Sequence, residues 1–502
     1  MRALLVTSVG VTCAAALTLP LAAPASSAPV LSAASARPPS LTTEPGTDTT
    51  DTSGTTAPDT TTTSDTTAPD GAEPRAAKSA AAPAGSTQSL PLAPLAVPSN
   101  RVAGAPAVQG LPQRDARPFS LVGVVWDDAE AELHGTVQVR TRATGTTRWS
   151  DWQDVETHNA DHAADLGSAE REGRTVRGAT APLWVGDSDG VEVRVRPESP
   201  GSQDRAATPV PLPEGMRLEL VDPGEDPAPE PARGAPANRA AVPAVFADTP
   251  PTAALPEVLT AEIAAASAVN AEVAELGASV IPALTQAETA ESVNLAPGAK
   301  PYIGPRPRIV TRKGWGADEK LRERNFGYTK SVKAAFVHHS ATGNNYTCKQ
   351  APSVLRSIYR YHVKSSGWRD FGYNFAVDKC GNIYEGRAGG VTKAVLGAHT
   401  LGFNTNTMGI AVLGSYGSTN PPAAAVTAVS KLTAWKLGLF GANPKGKVTL
   451  VSGGSNKYKK GVKVKMNVIS GHRDGFATEC PGARLYKKLG TARTSSAKLQ
   501  GR

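Results

Sequence analysis

The sequence predicts an α/β fold for the C-terminal part of the chain: a mixed central β-sheet flanked by helices. A small all-β, sandwich-like domain and disordered linkers are predicted to precede it. Three observations carry this prediction. The 41 prolines and the Ala/Thr/Ser tracts are spread unevenly over the 502 residues, which marks linkers. Short β-like segments separated by Gly, Asp and Pro follow the first linker. Strand and helix patterns then alternate toward the C-terminus.

The first 28 residues have the composition of a secretory signal peptide. Met1 and Arg2 lead into an Ala/Leu/Val-rich run that ends near Leu21, and small residues follow as far as Ala28. A membrane anchor needs about 20 uninterrupted apolar residues, whereas three threonines, one serine and a proline interrupt this run. We therefore expect a secreted, cell-wall-associated protein, with no later stretch that spans a membrane.

Two linkers and a β-rich domain are predicted between this segment and the C-terminal domain. Residues 29–115 have almost no aromatic side chains and are predicted to be disordered. Residues 116–222 form the β-rich domain, in which Trp149, Trp152 and Trp184 either stack on sugars or fill a small core. Residues 223–300 are a second linker with an Ala-rich stretch that can be helical.

Residues 301–490 contain most of the aromatic residues and histidines and form the predicted C-terminal domain, before a basic tail at 491–502. The predicted elements are strands at 332–338, 373–378, 383–385 and 408–413, and helices at 348–364, 421–440 and 483–489.

The net charge of the C-terminal part of the chain differs from that of the rest. Residues 301–502 contain 33 Lys and Arg against 8 Asp and Glu, whereas the whole chain has 53 against 45. A strongly basic domain on an exported protein indicates an anionic polymer as partner, such as a cell wall with its peptide carboxylates. Nucleic acid would suit an intracellular protein, and the predicted export argues against it.

The cysteine count is odd once the signal peptide, with Cys13, is removed. Cys348, Cys380 and Cys480 then remain. Either one thiol is free, or one binds a metal while the other two form a disulfide.

Three residues are candidate metal ligands because each ends a strand or lies in a loop among small neighbours: His338, His472 and Cys480. Two imidazoles and a thiolate suit zinc, and three protein ligands leave one tetrahedral position for water, as in catalytic sites. Taken singly, each has an ordinary alternative, a hydrogen-bonded histidine or a buried cysteine.

Six motifs occur in order over the C-terminal two-fifths of the chain. Together they resemble the peptidoglycan recognition protein family, which includes the type 2 N-acetylmuramoyl-L-alanine amidases and the phage T7-type lysozyme. The resemblance implies that family's fold, a zinc cofactor, and hydrolysis of the amide that joins N-acetylmuramic acid to L-alanine. The motifs are Arg312-Lys313-Gly314-Trp315-Gly316-Ala317, Val337-His338-His339-Ser340-Ala341-Thr342, Asp370-Phe371-Gly372-Tyr373-Asn374-Phe375, Tyr384-Glu385-Gly386-Arg387, Gly397-Ala398-His399-Thr400, and Gly471-His472-Arg473-Asp474 continuing to Cys480-Pro481-Gly482.

The same resemblance implies a role for each matching position. It makes His338 the ligand rather than His339, with His472 and Cys480 completing the metal site. Tyr373 matches an active-site tyrosine that hydrogen-bonds the attacking water or the oxyanion. The three remaining predicted site residues are His399 as a substrate-groove residue, Arg387 as a binder of the extra carboxylate of diaminopimelate-type stems, and Thr478 at the catalytic position where phage relatives carry lysine.

Cys348 begins a predicted helix and Cys380 lies in a predicted turn, so a disulfide between them would brace both elements; the alternative is two free thiols. The leading functional prediction is a monomeric zinc amidase that acts on peptidoglycan. The alternative is a non-catalytic peptidoglycan-binding protein. A third hypothesis places the function in the β-rich domain, which would be a glycan-binding adhesin.

Overall fold

Two large β-sheets, one in each half of the described chain, organise the structure. The computed structural model describes residues 84–95, 108–157, 162–168, 170–198, 210–227, 259–293 and 302–502. The predicted signal peptide and most of the first predicted linker lie outside these residues. No helix within the described residues is long and apolar enough to span a bilayer.

The N-terminal β domain is one antiparallel sheet of eight strands, which confirms the predicted all-β domain. Its order is β1-β8-β3-β7-β4-β5, with β2 and β6 also paired to β3. Valine and leucine side chains of β3, β4, β7 and β8 form its core. The strands are β1 Ala84–Pro91, β2 Ala93–Pro94, β3 Gln109–Trp126, β4 Gly135–Ala143, β5 Gln153–Val155, β6 Gly178–Ala179, β7 Leu183–Pro197 and β8 Arg217–Gly224.

The first part of this sheet corrects the predicted linker at 29–115. Strands β1 and β2 and the beginning of β3 all lie within it, and β1 pairs with β8 along its whole length. The segment has few apolar residues, but the ladder hydrogen bonds satisfy its backbone, and Leu90 and Leu92 pack against the β-domain core. Backbone pairing of this kind leaves little signal in the composition.

The three tryptophans of the β domain have different environments. Trp184 is buried and belongs to a cluster that includes residues of the C-terminal domain. Trp149 and Trp152 are only partly buried, and arginines lie over their rings, with the Arg194 guanidinium 3.9 Å from the Trp152 ring centre. Core packing therefore describes Trp184, while the other two form cation–π contacts at the sheet surface.

The C-terminal domain has the predicted mixed sheet flanked by helices. Its seven strands run in the order β17-β11-β14-β12-β13-β10-β9. Strand β11 is parallel to both β14 and β17, whereas β12 is antiparallel to β13. The strands are β9 Val280–Ile281, β10 Ile309–Val310, β11 Ala334–His339, β12 Phe375–Val377, β13 Ile383–Glu385, β14 Thr407–Val412 and β17 Ile469–Gly471, and a separate hairpin is formed by β15 Lys447–Val451 and β16 Lys463–Asn467.

Helices cover this sheet, and one π-helical turn, Tyr361–Ser365, continues α3. The helices are α1 Ala261–Ala268, α2 Gln286–Glu291, α3 Ala351–Arg360, α4 Ala423–Gly438, α5 His472–Gly475 and α6 Ala483–Leu499.

The ends of the C-terminal domain differ from the prediction. Strand β9 adds to the sheet edge, and the Asn270 side chain donates to Glu385 at 2.9 Å and accepts from the Val391 amide at 2.8 Å. Residues 259–293 of the predicted second linker therefore belong to this domain, whereas residues 223–224 end strand β8. Helix α6 runs ten residues beyond the predicted end at Leu489, through most of the predicted tail, because buried Ala492, Ser496 and Ala497 continue its packed face.

The two domains share a buried core. Leu121, Val125 and Trp184 of the β domain pack in one cluster with aromatic residues of the C-terminal domain. The Tyr361 hydroxyl donates to the carbonyl oxygen of Thr180 at 3.1 Å. Because separating the domains would expose this apolar surface, the β domain is a fixed part of the C-terminal domain's surroundings.

The predicted Cys348–Cys380 disulfide is present, and Cys480, which is buried, is the one cysteine of the described residues outside a disulfide. The bond ties the segment before α3 to the turn after β12.

Candidate metal centre

Neighbouring parallel strands position two of the predicted ligands. His338 lies near the carboxyl end of β11, and His472 follows the last residue of β17. Val337 pairs with Gly471 in the sheet, so the two imidazoles emerge side by side at the edge where α/β folds commonly hold ligands. The Asp474 carboxylate accepts from the Gly471 amide at 2.9 Å and from a tyrosine hydroxyl at 2.6 Å, which fixes the beginning of α5.

A tight turn before α6 positions the third predicted ligand. The Thr478 hydroxyl accepts a hydrogen bond from the Cys480 amide at 3.2 Å. Gly482 has φ +84°, and a Cβ there would lie 2.3 Å from the Tyr416 carbonyl carbon, so the turn requires glycine. The hydrogen bond from the Cys480 amide shows that Thr478 positions the cysteine. The predicted catalytic role of Thr478 stays a prediction.

The structure adds a fourth residue, His162, which the sequence did not reveal. His162, His338, His472 and Cys480 are all buried, and their candidate ligand atoms lie within 4.8 Å of one another. His162 comes from the β domain, in the connection between β5 and β6, and its ring centre is 4.4 Å from that of His472. The three predicted ligands therefore have a fourth potential donor beside them, where the sequence analysis expected an open position for water.

The spacing of three of the four donors is close to that around a tetrahedral zinc ion. Zinc–nitrogen bonds of about 2.0–2.1 Å and a zinc–sulfur bond of about 2.3 Å place two nitrogens about 3.3–3.4 Å apart and a nitrogen and the sulfur about 3.6 Å apart. His338 Nδ1 lies 3.3 Å from His162 Nε2 and 3.8 Å from Cys480 Sγ, and that sulfur lies 3.7 Å from His162 Nε2. Three imidazoles and one thiolate are also a donor set that zinc prefers.

The surroundings keep His338 in the form that binds metals. Burial, followed by the neighbouring imidazoles, lowers the pKa of His338 well below its usual value, so the ring is neutral. Its other nitrogen, Nε2, lies 3.4 Å from the Thr400 hydroxyl. A polar partner on the far side of a ligating imidazole orients the ring. His339 faces away from the cluster, with Nδ1 accepting from the Tyr416 amide at 3.3 Å.

The other predicted site residues surround the cluster at different depths. The Tyr373 ring centre lies 5.2 Å from that of His338. His399 is fully buried behind His338, with ring centres 5.4 Å apart, and its Nδ1 lies 3.0 Å from the Thr400 hydroxyl. In this structure His399 lines no open groove, and its predicted substrate contact stays a prediction.

Arg387 is buried and held by three partners. Its guanidinium donates to the carbonyl oxygens of Phe371 and Leu396 at 2.8 Å and 3.4 Å. The third partner is Glu170 of the β domain, whose carboxylate accepts at 2.7 Å. The charge that was predicted to bind a substrate carboxylate is thus paired with a carboxylate of the chain itself.

Comparison with known proteins divides the chain in the same way. Residues 74–214 match the family model described as Rv3811 N-terminal galactose-binding domain-like, and residues 328–483 match the model of N-acetylmuramoyl-L-alanine amidase. Peptidoglycan-recognition protein SC2 of Drosophila simulans is 30% identical over 36% of this chain and 85% of its own length. The human N-acetylmuramoyl-L-alanine amidase is 30% identical over 37% of this chain and 28% of its own. The solved structure of wild-type Drosophila PGRP-LB is 25% identical, covers 36% of this chain and 92% of that one, and has a TM-score of 0.29.

Proposed function

The chain belongs to the peptidoglycan recognition protein family, and we propose that it is a zinc-dependent N-acetylmuramoyl-L-alanine amidase. The substrate in this proposal is peptidoglycan, and the bond is the amide between the lactyl group of N-acetylmuramic acid and L-alanine. The observation that carries the proposal is the buried cluster of His338, His472 and Cys480, whose candidate donor atoms lie within 4.8 Å of one another. Family membership alone does not decide between catalysis and binding. A site that can hold zinc supports hydrolysis, because zinc activates water.

In this proposal His338, His472 and Cys480 hold the zinc ion. When bound, zinc supplies Lewis-acid activation of water and polarisation of the amide carbonyl. The Thr400 hydroxyl orients the His338 ring, and Thr478 holds the loop that presents the thiolate. The chain thereby fixes three donors before any substrate arrives, which lowers the entropic cost of assembling the site.

Two further side chains act on the substrate. Tyr373 lies beside the His338 ring. Its hydroxyl donates a hydrogen bond to the oxyanion that develops on the amide carbonyl. Arg387 binds the second carboxylate of a diaminopimelate-type stem as a planar, two-pronged donor. Thr478 does not serve as a general acid, because a hydroxyl of this kind holds its proton at neutral pH.

The basic C-terminal domain supports the same partner. Its 33 Lys and Arg against 8 Asp and Glu over residues 301–502 favour an anionic polymer. We propose that the protein is secreted, acts at the cell wall as a monomer, and binds no nucleic acid.

One observation favours a second candidate function. With His162 included, the cluster has four protein donors, and a metal with four protein ligands is typical of structural zinc sites. The chain would then be a peptidoglycan-binding protein whose zinc only stabilises the fold.

Peptide release from insoluble peptidoglycan separates the two candidates. We expect the zinc-loaded full chain, or its His162→Ala variant with the fourth position open, to release soluble stem peptides. A chelator should stop the release, and zinc should restore it. Zinc-loaded proteins that bind peptidoglycan but release no peptide in either form would contradict the amidase and leave the binding protein.

A further inference from the structure

We propose that the β domain keeps the metal centre closed: His162 takes the fourth ligand position as a displaceable latch, and lifting it gives water and substrate access. The inference concerns regulation of the site and rests on the proposed amidase function. The segment responsible is called the strap and consists of described residues 162–168 and 170–177, between β5 and β6.

His162 is placed as a ligand and not as a bystander. Its Nε2 is the atom 3.3 Å from His338 Nδ1 and 3.7 Å from the Cys480 sulfur, which are tetrahedral-edge distances for zinc. The residue is 5% exposed although it lies on a connection without helix or strand. With His162 at that corner, a four-coordinate zinc ion would have no position for a water molecule or an amide oxygen.

Hydrogen bonds to the ligand-supporting loop fasten the strap beside His162. The Asp165 carboxylate accepts from the Gly402 amide at 2.7 Å and from the Asn404 side chain at 2.8 Å. Asn404 also donates to the carbonyl oxygen of Ala163 at 2.9 Å, while its own oxygen accepts from the Thr400 amide at 3.0 Å. Since Thr400 contacts His338, the strap is tied to the same loop that orients a metal ligand.

The C-terminal part of the strap covers Arg387. Glu170 pairs with this guanidinium at 2.7 Å, with both side chains largely buried. A carboxylate in this place occupies the position that a carboxylate of a stem peptide would take in the proposed function. The strap therefore blocks two parts of the site at once, the metal and the anion-binding arginine.

The latch can open without separating the domains. A cavity of about 440 Å³ lies beside His162, between the strap and the loops that carry Leu401 and Phe476. This space is large enough to receive an imidazole that swings away from the metal. Its lining has a positive balance, with four basic residues, including Arg171 and Lys459, against two acidic ones, Glu130 and Glu132. An anionic glycopeptide is therefore the class of ligand that would enter and displace the strap.

The test compares four full-length proteins: the wild type, His162→Ala, Asp165→Ala and His134→Ala. Asp165→Ala removes a fastening of the strap and leaves every metal donor in place. His134 is an exposed histidine of the same domain and serves as the matched control. Each protein is loaded with one equivalent of zinc for X-ray absorption, which counts coordinated imidazoles, and with cobalt for visible spectroscopy during titration with acetohydroxamate, a small metal-binding probe.

We expect three imidazoles and one sulfur around zinc in the wild type and in His134→Ala, with little spectral response to acetohydroxamate. His162→Ala should show two imidazoles and one sulfur around zinc. It should respond to acetohydroxamate at concentrations at least about 10-fold lower than the wild type, which corresponds to a difference of about 1.4 kcal/mol in binding free energy. Asp165→Ala should keep three imidazoles yet respond between these limits. Peptide release from peptidoglycan should rise at least about 10-fold in His162→Ala.

The outcomes separate this inference from the proposed function. Two imidazoles in the wild type, with a probe response equal to that of His162→Ala, overturn the latch even if the protein is an active amidase. Spectra as expected with no peptide release from any variant uphold the closed site and contradict the amidase.

Discussion

Cys480→Ala is expected to weaken zinc binding by more than about 100-fold, because loss of even an outer partner of a metal ligand typically costs about 10–100-fold. The thiolate is the only negatively charged donor of the cluster. After its removal, only neutral imidazoles and water remain to bind a doubly charged cation. Competition with a chromophoric zinc chelator measures the affinity directly. Peptide release should fall with zinc occupancy.

The matched control is the double variant Cys348→Ala/Cys380→Ala, which removes the other two described cysteines as a pair. We expect it to keep zinc affinity within about 2-fold while losing stability, since disulfides of this kind contribute about 2–4 kcal/mol. Equal zinc affinity in Cys480→Ala and the wild type would show that the cluster is not the metal site.

Arg312→Ala is expected to lower the free energy of unfolding by about 3–5 kcal/mol, as for other broken buried ion pairs. The guanidinium is 1% exposed and donates to Glu319 at 2.7 Å, to Asp370 at 3.1 Å and to the Gly386 carbonyl oxygen at 2.5 Å. Without it, the Asp370 carboxylate, which helps to hold the segment before Tyr373, stays buried with only backbone amides as donors.

Urea denaturation at fixed zinc concentration measures this effect. Arg308→Ala is the control, because Arg308 is exposed and a surface substitution of this type changes stability by about 0.5 kcal/mol or less. A loss below about 1 kcal/mol for Arg312→Ala would mean that the carboxylates find other partners and that the motif has another role.

The parts of the site that lie in local motifs were predictable. His338, His472 and Cys480 each occupy a short motif with small neighbours at the end of a strand or in a tight turn, and the structure brings all three together. The same holds for the Cys348–Cys380 disulfide, which joins elements predicted separately. In these cases the information is carried by residues close in sequence to the feature itself.

His162 was not predictable by that route. It precedes His338 by 176 residues, belongs to another domain, and lies in a connection with no motif around it. The packing of Leu121, Val125 and Trp184 against the C-terminal domain, together with the hydrogen bonds of the strap, brings it to the candidate metal centre. The same connection also contains His158 in the sequence, so histidine content alone does not single out His162.

The predicted linkers show a similar limit. Strand β1 is mostly small and polar, and its pairing partner β8 lies more than a hundred residues away, so neither composition nor periodicity marks it. The tail after Leu489 was predicted to be a separate segment from its charge. Buried Ala492 and Ser496 continue the helix against α4 through small side chains, which a search for large apolar residues does not find.

The bond that is broken tests the central claim most directly. Mass spectrometry of the products from purified peptidoglycan, treated with the zinc-loaded His162→Ala variant, should show intact stem peptides with a free L-alanine amino terminus and glycan strands with free lactyl carboxylates. The Cys480→Ala variant should give neither product. Products cut within the glycan or within the stem, or no products from a zinc-saturated protein, would contradict the assignment.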